Sequence, residues 1–192
     1  MSDLLDRRAV VAELLQDRGD LLVVTGLGSP TYDVFAAGDH DRNYYLWGAM
    51  GGAAMIGLGI AKAKPDESVL VITGDGEMLM AMGAFATIAV QAPKNLTIVV
   101  LDNGHYGETG MQLSHAGHGI RLDQVAASVG FDDAHQITDM AGVTALRSQL
   151  QTGQSLTCAN IVVGTDEPER VLPSRDGVHI KNRFKLALGQ VL

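Results

Sequence analysis

The sequence predicts an α/β fold, an open and mostly parallel sheet with helices on both faces. Three observations carry this. Apolar runs of strand length recur along the chain, and segments with helical spacing of apolar residues separate them. The run Ser68 to Thr73 alternates poorly and is apolar almost throughout, as a central strand covered on both faces is. Glycines gather where the runs end. Strand and helix therefore alternate five or six times, and such alternation closes into a parallel doubly wound sheet.

Taken in order, the elements begin with an amphipathic helix over residues 4–18, with Leu4, Leu5, Val10, Val11, Leu14 and Leu15 at helical spacing and Gly19 ending it. Leu21 to Thr25 is a short buried strand. The tight loop Gly26-Leu27-Gly28-Ser29 follows, and Pro30 suits the first turn of a helix to about Ala37. A polar loop with His40 leads to a short strand over 43–46. The Gly- and Ala-rich segment from Trp47 to Ala63 reads as one helix, opened by Gly48, Ala49, Met50, Gly51 and Gly52. Its small residues serve close packing, and Gly48 and Gly51 clear space where a flat ligand approaches the backbone. After the turn 64–67 come the strand 68–73, a helix over 78–90, the break at Pro93 and a strand over 95–101. Residues 104–119 carry five glycines and three histidines with no periodicity, and read as a mobile loop over a site. A helix to Val129, an edge strand in 130–137, a helix over 140–151 capped by Asp139 and a buried strand over 156–163 complete the alternation. The tail 164–178 reads as irregular, and 181–192 as a basic amphipathic helix with a solvated face.

The bulk numbers bound the function. At 192 residues, 46% apolar and 19% charged, residues 1–192 are expected to form one domain with a full core. Twenty-two acidic against 14 basic residues, a formal charge of -8, argue against a nucleic-acid binder. Cys158 is the only cysteine. It excludes an internal disulfide, fits a reducing, cytoplasmic setting, and reads as a packed strand residue rather than a nucleophile. No run is long and charge-free enough to span a membrane, and Met1 to Arg8 lacks the apolar core of a signal peptide.

Chemistry concentrates at two strand ends. Gly74-Asp75-Gly76-Glu77 ends one run, and Asp102-Asn103-Gly104-His105-Tyr106 ends the next. Parallel neighbours bring such ends together at the ligand-binding edge of an open sheet. A carboxylate, an amide and backbone oxygens make an oxygen-only donor set of the kind magnesium prefers. The glycines flanking Asp75 let backbone amides approach an anion. The pair therefore reads as a magnesium–diphosphate site. Other readings lack their motifs: Gly26-Leu27-Gly28-Ser29-Pro30-Thr31 is a weak match to a dinucleotide loop, and there is no Walker lysine, Cys-x-x-Cys pair or nucleophile elbow.

Gly74-Asp75-Gly76, with Asn103 placed 28 positions beyond Asp75, resembles the signature of thiamine diphosphate-dependent enzymes. The fragment Asp102 to Gly107 is similar to the corresponding loop of decarboxylases acting on 2-oxo acids, and the overall pattern resembles the beta subunit of the sulfopyruvate and phosphonopyruvate decarboxylase family. The resemblance implies that Asp75 and Asn103 hold magnesium by their side chains and His105 by its backbone carbonyl. It places the amides of Gly76 and Glu77 on the diphosphate beside Gly74, with Gly28 and Ser29 on its other side and Tyr106 nearby. It gives the carbonyl of Gly48 to the aminopyrimidine and makes Met50 the apolar support of a bent cofactor. His115 and His118 in the loop are candidates for later proton transfers, and Glu108 and Gln112 for orienting the substrate.

The resemblance covers only the diphosphate-binding half. The glutamate that activates the pyrimidine is then expected from a separate partner subunit, with the apolar faces 47–55 and 78–85 buried between chains. The implied activity is decarboxylation of a small 2-oxo acid. A carboligase of acetolactate synthase type, a part of an oxidoreductase and a non-catalytic structural partner remain as alternatives. A substrate carrying a second anionic group would want an Arg or Lys close by; Arg121 and Lys94 are candidates but unremarkable ones, and the partner subunit is the other source of that charge.

Overall fold

A computed structural model describes residues 4–152 and 154–191. The elements run α1 (Arg7–Leu15), β1 (Leu22–Thr25), α2 (Ser29–Ala36), β2 (Asn43–Tyr45), α3 (Ala53–Ala63), β3 (Val69–Gly74), α4 (Asp75–Met80), α5 (Gly83–Gln91) and β4 (Leu96–Asp102). They continue with β5 (His105–Tyr106), β6 (Gln112–Leu113), α6 (Leu122–Val129), β7 (Asp133–Ile137), α7 (Met140–Gln149), β8 (Thr157–Val162) and α8 (Gly177–Ala187).

Six strands form one sheet in the order β2-β1-β3-β4-β8-β7, and every pairing in it is parallel. The alternation along β3 explains why its sequence is apolar throughout. Leu70 and Ile72 pack with Val10, Leu14, Val143 and Ile180 on one face, while Val69 and Val71 pack with Leu58, Phe85, Ile88 and Leu122 on the other. Both faces are covered by helices, so neither set of side chains meets water. Cys158 of β8 lies fully inside the second layer, and burial pushes its thiol up to about 12, so it is inert packing. Helix α8 covers the edge strand β2, with Phe184 set edge-on to Tyr44 at 5.6 Å between ring centroids.

Four expectations are corrected. The helix expected over 47–63 begins only at Ala53, because Gly48 (φ 81°) and Gly51 (φ 92°) take left-handed backbone and hold 46–52 as a loop. Periodicity marks which residues are apolar, not where the backbone turns left-handed. Gly57, by contrast, serves packing: a Cβ there would lie 2.3 Å from Val71 Cγ2. The helix expected over 78–90 starts at Asp75 and is two helices, broken at Ala81 and Met82, so that Met78 is buried while Met80 and Met82 face out. Residues 104–119 are not structureless. They form the antiparallel β5–β6 hairpin around a short 3-10 turn at Gly107–Thr109, and Gly117 packs on Gly104 so closely that a Cβ would meet its carbonyl oxygen at 2.4 Å. The last helix begins at Gly177, where Asp176 accepts from the amides of Val178 and His179 at 2.9 and 3.1 Å.

The strand order creates the site. From β1 the chain goes out to β2 and returns to β3 on β1's other side, and a crevice opens at such a switch point beyond the strands' C-terminal ends. At the same edge Leu5 bridges to Val163, which sets the N-terminus of α1 beside the crevice.

Candidate functional site

A cavity of about 210 Å³ lies at this edge. Its wall is built from Leu27 in the loop after β1, Ser29 and Pro30 at the start of α2, Met50, the strand-to-helix turn Gly74 to Glu77, and Asn103 with the hairpin residues 105–109. Gly74 pairs with Leu101 across β3 and β4, so Asp75 and Asn103 leave adjacent strand tips and line one space.

Asp75 is the first residue of α4 and is only 2% exposed. Burial pushes its carboxyl up to about 6; the hydrogen bond from Ser114 works against this rise, and the nearby Asp102 adds to it. Its Oδ2 accepts from the hydroxyl of Ser114, which is itself fully buried. Among the described residues no basic side chain pairs with it. Asp75 is thus a buried anion with a hydroxyl partner and an open side toward the cavity.

The turn after β4 is tied down by its own side chains. Asp102 Oδ1 accepts from the Gly104 amide at 3.0 Å, and its Oδ2 accepts from Asn160 Nδ2 of β8 at 2.9 Å. Asn103 Oδ1 accepts from the His105 amide at 2.9 Å and keeps a second lone pair. His105 Nδ1 lies 2.7 Å from the Asn103 carbonyl, which occupies its imidazole locally.

Gly76 has no room for a side chain: a Cβ would stand 2.6 Å from the ring of Tyr106. That contact seats the hairpin on the first turn of α4. Glu77 is 4% exposed and acts as a tie. Its Oε2 accepts from the Leu27 amide at 2.8 Å and its Oε1 from the Gly51 amide at 3.0 Å. Burial raises the Glu77 carboxyl above its ordinary range, and the two loop amides oppose that rise. Three loops of the site are therefore joined through one carboxylate.

Of the residues singled out in the sequence, Ser29, Met50, Gly74, Asp75, Gly76, Glu77, Asn103, His105, Tyr106 and Glu108 share the cavity wall. Gly28 and Gly48 stand just outside it. Gly28 packs under Glu108, and Gly48 has open space where a Cβ would point. His115 is exposed but touches the wall through Tyr106, its Nδ1 lying 3.0 Å from the tyrosine hydroxyl. His118 is exposed in the following turn and lines no part of the cavity. Lys94 pairs with Asp132 before β4 begins, at the far end of that strand, and Arg121 pairs with Asp123, so neither reaches the cavity. Sequence reasoning missed Ser114, the tying role of Glu77 and Arg7, the one arginine in the wall. The Ser114–Asp75 contact spans 39 positions and the Glu77–Leu27 contact 50, with no local pattern to reveal either.

Among the described residues no group of three His, Cys, Asp or Glu side chains is gathered as for a metal, and no helix is long and apolar enough to cross a membrane.

Residues 31–161 match the family described as thiamine pyrophosphate enzyme, C-terminal TPP binding domain. The chain is 36% identical over 124 residues to the sulfopyruvate decarboxylase subunit beta of Methanocaldococcus jannaschii, covering 64% of this chain and 65% of that one. It is 39% identical over 146 residues to the phosphonopyruvate decarboxylase of Streptomyces viridochromogenes, covering 74% of this chain and 35% of that one. Among solved structures, benzoylformate decarboxylase from Polynucleobacter necessarius shares the fold with a TM-score of 0.68 at 19% identity, over 87% of this chain and 34% of that one. The chain thus spans about two thirds of the first relative and about one third of the second.

Proposed function

Because this chain belongs to the thiamine pyrophosphate enzyme family, as a C-terminal TPP-binding domain, we propose that it is the diphosphate-binding subunit of a two-subunit decarboxylase acting on a 2-oxo acid, sulfopyruvate or phosphonopyruvate. The observation that carries this is the meeting of Asp75 and Asn103 at one cavity. The donor set fits Mg²⁺: one carboxylate, one amide oxygen and the His105 carbonyl are hard oxygen ligands that leave positions for diphosphate oxygens. Burial has raised the affinity of Asp75 for a proton, and a divalent cation relieves the same unfavourable charge.

Thiamine diphosphate, when bound, supplies the electron sink that loss of carbon dioxide from a 2-oxo acid requires. The chain's own residues orient and shield it. The amides of Gly76 and Glu77 and the hydroxyl of Ser29 would hold its diphosphate, the Gly48 carbonyl its pyrimidine, and Met50 would give it apolar support. Glu108 lines the cavity and is placed to orient substrate, while His115 reaches it through Tyr106 and is better placed than His118 to carry protons.

The partner subunit follows from the carboxylates. Glu77 is spent on two loop amides, and Glu108, beside Arg170 at 3.5 Å, is assigned to the substrate, so this chain's cavity offers the pyrimidine no dedicated glutamate. The activating glutamate then comes from a second chain. Met50 in the cavity wall is exposed, as are Met55 of α3, Met80 of α4 and Met82 beyond it, and exposed methionines of this kind support an interface. The purified chain should show no turnover with sulfopyruvate, phosphonopyruvate or pyruvate, and adding the partner subunit should restore it. Turnover by the chain alone would overturn the shared site.

Ser114 should matter to the metal without touching it. Ser114→Ala removes the donor that orients Asp75, and Mg²⁺ affinity at saturating thiamine diphosphate should fall about 10-fold or more. Titration calorimetry on the assembled enzyme reads this directly; unchanged affinity would exclude an orienting role.

A further inference from the structure

Among the described residues Arg7 is the only Lys or Arg in a cavity wall that also holds Asp75, Glu77 and Glu108. It belongs to the first turn of α1, brought to the sheet edge by the Leu5–Val163 bridge. Its side chain is 11% exposed and is held by Asp33, which is fully buried in α2 and accepts from Nε of both Arg7 and Arg8, the latter at 3.2 Å. Two guanidinium groups on one carboxylate leave the cluster with a surplus positive charge. Among the described residues Arg7 uses only Nε, so its two terminal nitrogens remain for a ligand. Arg7 and Ser29 also line a smaller adjoining cavity of about 30 Å³, shared with Asn103 and Glu108 and continued by Arg8 and Arg170. Met50 lies in the wall of the main cavity and not of this one. The arginines therefore stand at the Ser29–Asn103 end, away from the residue assigned to the cofactor's bend.

We propose that Arg7, fixed by the buried Asp33, binds the terminal phosphate of the cofactor and makes this site prefer a diphosphate to a monophosphate. The inference rests on the cofactor reading above. Its physical basis is charge. A diphosphate keeps negative charge after one Mg²⁺ binds, and the metal ligand Asp75 adds another. A planar guanidinium held by a carboxylate on one edge offers its other edge to phosphate oxygens. Arg8 lends charge and steadies Asp33, but its Nη2 already donates to the Glu169 carbonyl at 2.9 Å.

The test compares ligands on the full chain with Mg²⁺, using thermal-shift titration, which registers weak binding at high ligand concentration. Thiamine diphosphate, thiamine monophosphate and inorganic pyrophosphate are the probes. Arg7→Gln should lose about 10- to 100-fold in affinity for thiamine diphosphate and for pyrophosphate, the range for a lost charge-assisted hydrogen bond to phosphate. Its affinity for thiamine monophosphate should stay at the wild-type value. Arg7→Lys, which preserves the pair with Asp33, should give an intermediate diphosphate-to-monophosphate ratio and guards against misfolding of the first variant. A wild-type ratio in Arg7→Lys and Arg7→Gln, or an equal loss for all probes, overturns the assignment. A wild-type chain that binds none of the probes, alone or assembled with the partner subunit, overturns the cofactor reading itself, and the two failures are distinct.

Discussion

Asp75→Asn should make the ligand-free chain more stable at pH 7 while abolishing its Mg²⁺-dependent binding of thiamine diphosphate. The stability half follows from burial. The Asp75 carboxyl moves from an ordinary 3.8 to about 6 in the folded chain, which corresponds to roughly 3 kcal/mol. The sign is set by proton uptake. Between about pH 4 and pH 6 the folded state holds this proton and the unfolded state has released it, so the contribution to stability falls as pH rises through that window and the full cost stands above it. An asparagine carries no charge and still accepts from Ser114, so the cost disappears together with its pH dependence. Some of the gain is lost to the new NH₂ group, which needs partners. A net gain of about 1–3 kcal/mol, or roughly 2–12 °C in Tm, is expected at pH 7, with little difference between variant and wild type at pH 4. The binding half rests on the proposed donor set, in which a neutral amide would be a poor substitute for the one anionic protein ligand. The loss should exceed the roughly 10- to 100-fold that removal of a merely supporting residue costs. Calorimetric scans at both pH values and a titration with Mg²⁺ and cofactor check the two halves separately. A variant of unchanged stability that still binds cofactor would remove Asp75 from the centre of the site.

This opposition between stability and function also explains what was legible in the sequence. The strands were readable because Val69 to Ile72 and Ile98 to Val100 must be apolar on both faces wherever helices cover a sheet twice. The paired site was readable because Asp75 and Asn103 break those apolar runs where nothing in the core requires a polar residue. The loop over 46–52 was not readable, since Gly48 and Gly51 fit a small-residue helix as well as a left-handed turn. The division of α4 from α5 was hidden for a similar reason, because Ala81 and Met82 are acceptable helix residues. Ser114, Arg7 and the ties of Glu77 are contacts between segments 26 to 50 positions apart. Such contacts exist only after the sheet has set the strand order, so a pass along the chain sees a serine in a glycine-rich loop and an arginine on a surface helix.

Glu77→Ala should be the most destabilising change in the site, and its character separates a tie from a catalyst. The carboxylate takes both the Leu27 amide at 2.8 Å and the Gly51 amide at 3.0 Å from a 4% exposed position. Alanine leaves two partly buried amides without an acceptor, each costing up to about 1–3 kcal/mol. Backbone relaxation recovers part of this, so a loss of about 3 kcal/mol and a fall of roughly 6–12 °C in Tm are expected. Cofactor affinity should fall with it, because the loops carrying Ser29 and Gly48 lose their common anchor. Gln in place of Glu77 satisfies one amide but turns its NH₂ toward the other, donor against donor, and should lie between the two. Gly26 shows how closely the tie is fitted: a Cβ there would stand 1.9 Å from Glu77 Oε2, so Gly26→Ala should reproduce the fall in Tm without touching the carboxylate's chemistry. If Glu77 instead moved protons in the reaction, Glu77→Gln would cut turnover of the assembled enzyme while leaving both Tm and cofactor affinity where they were. Parallel loss of stability and affinity across the three variants is the result that the two hydrogen bonds require.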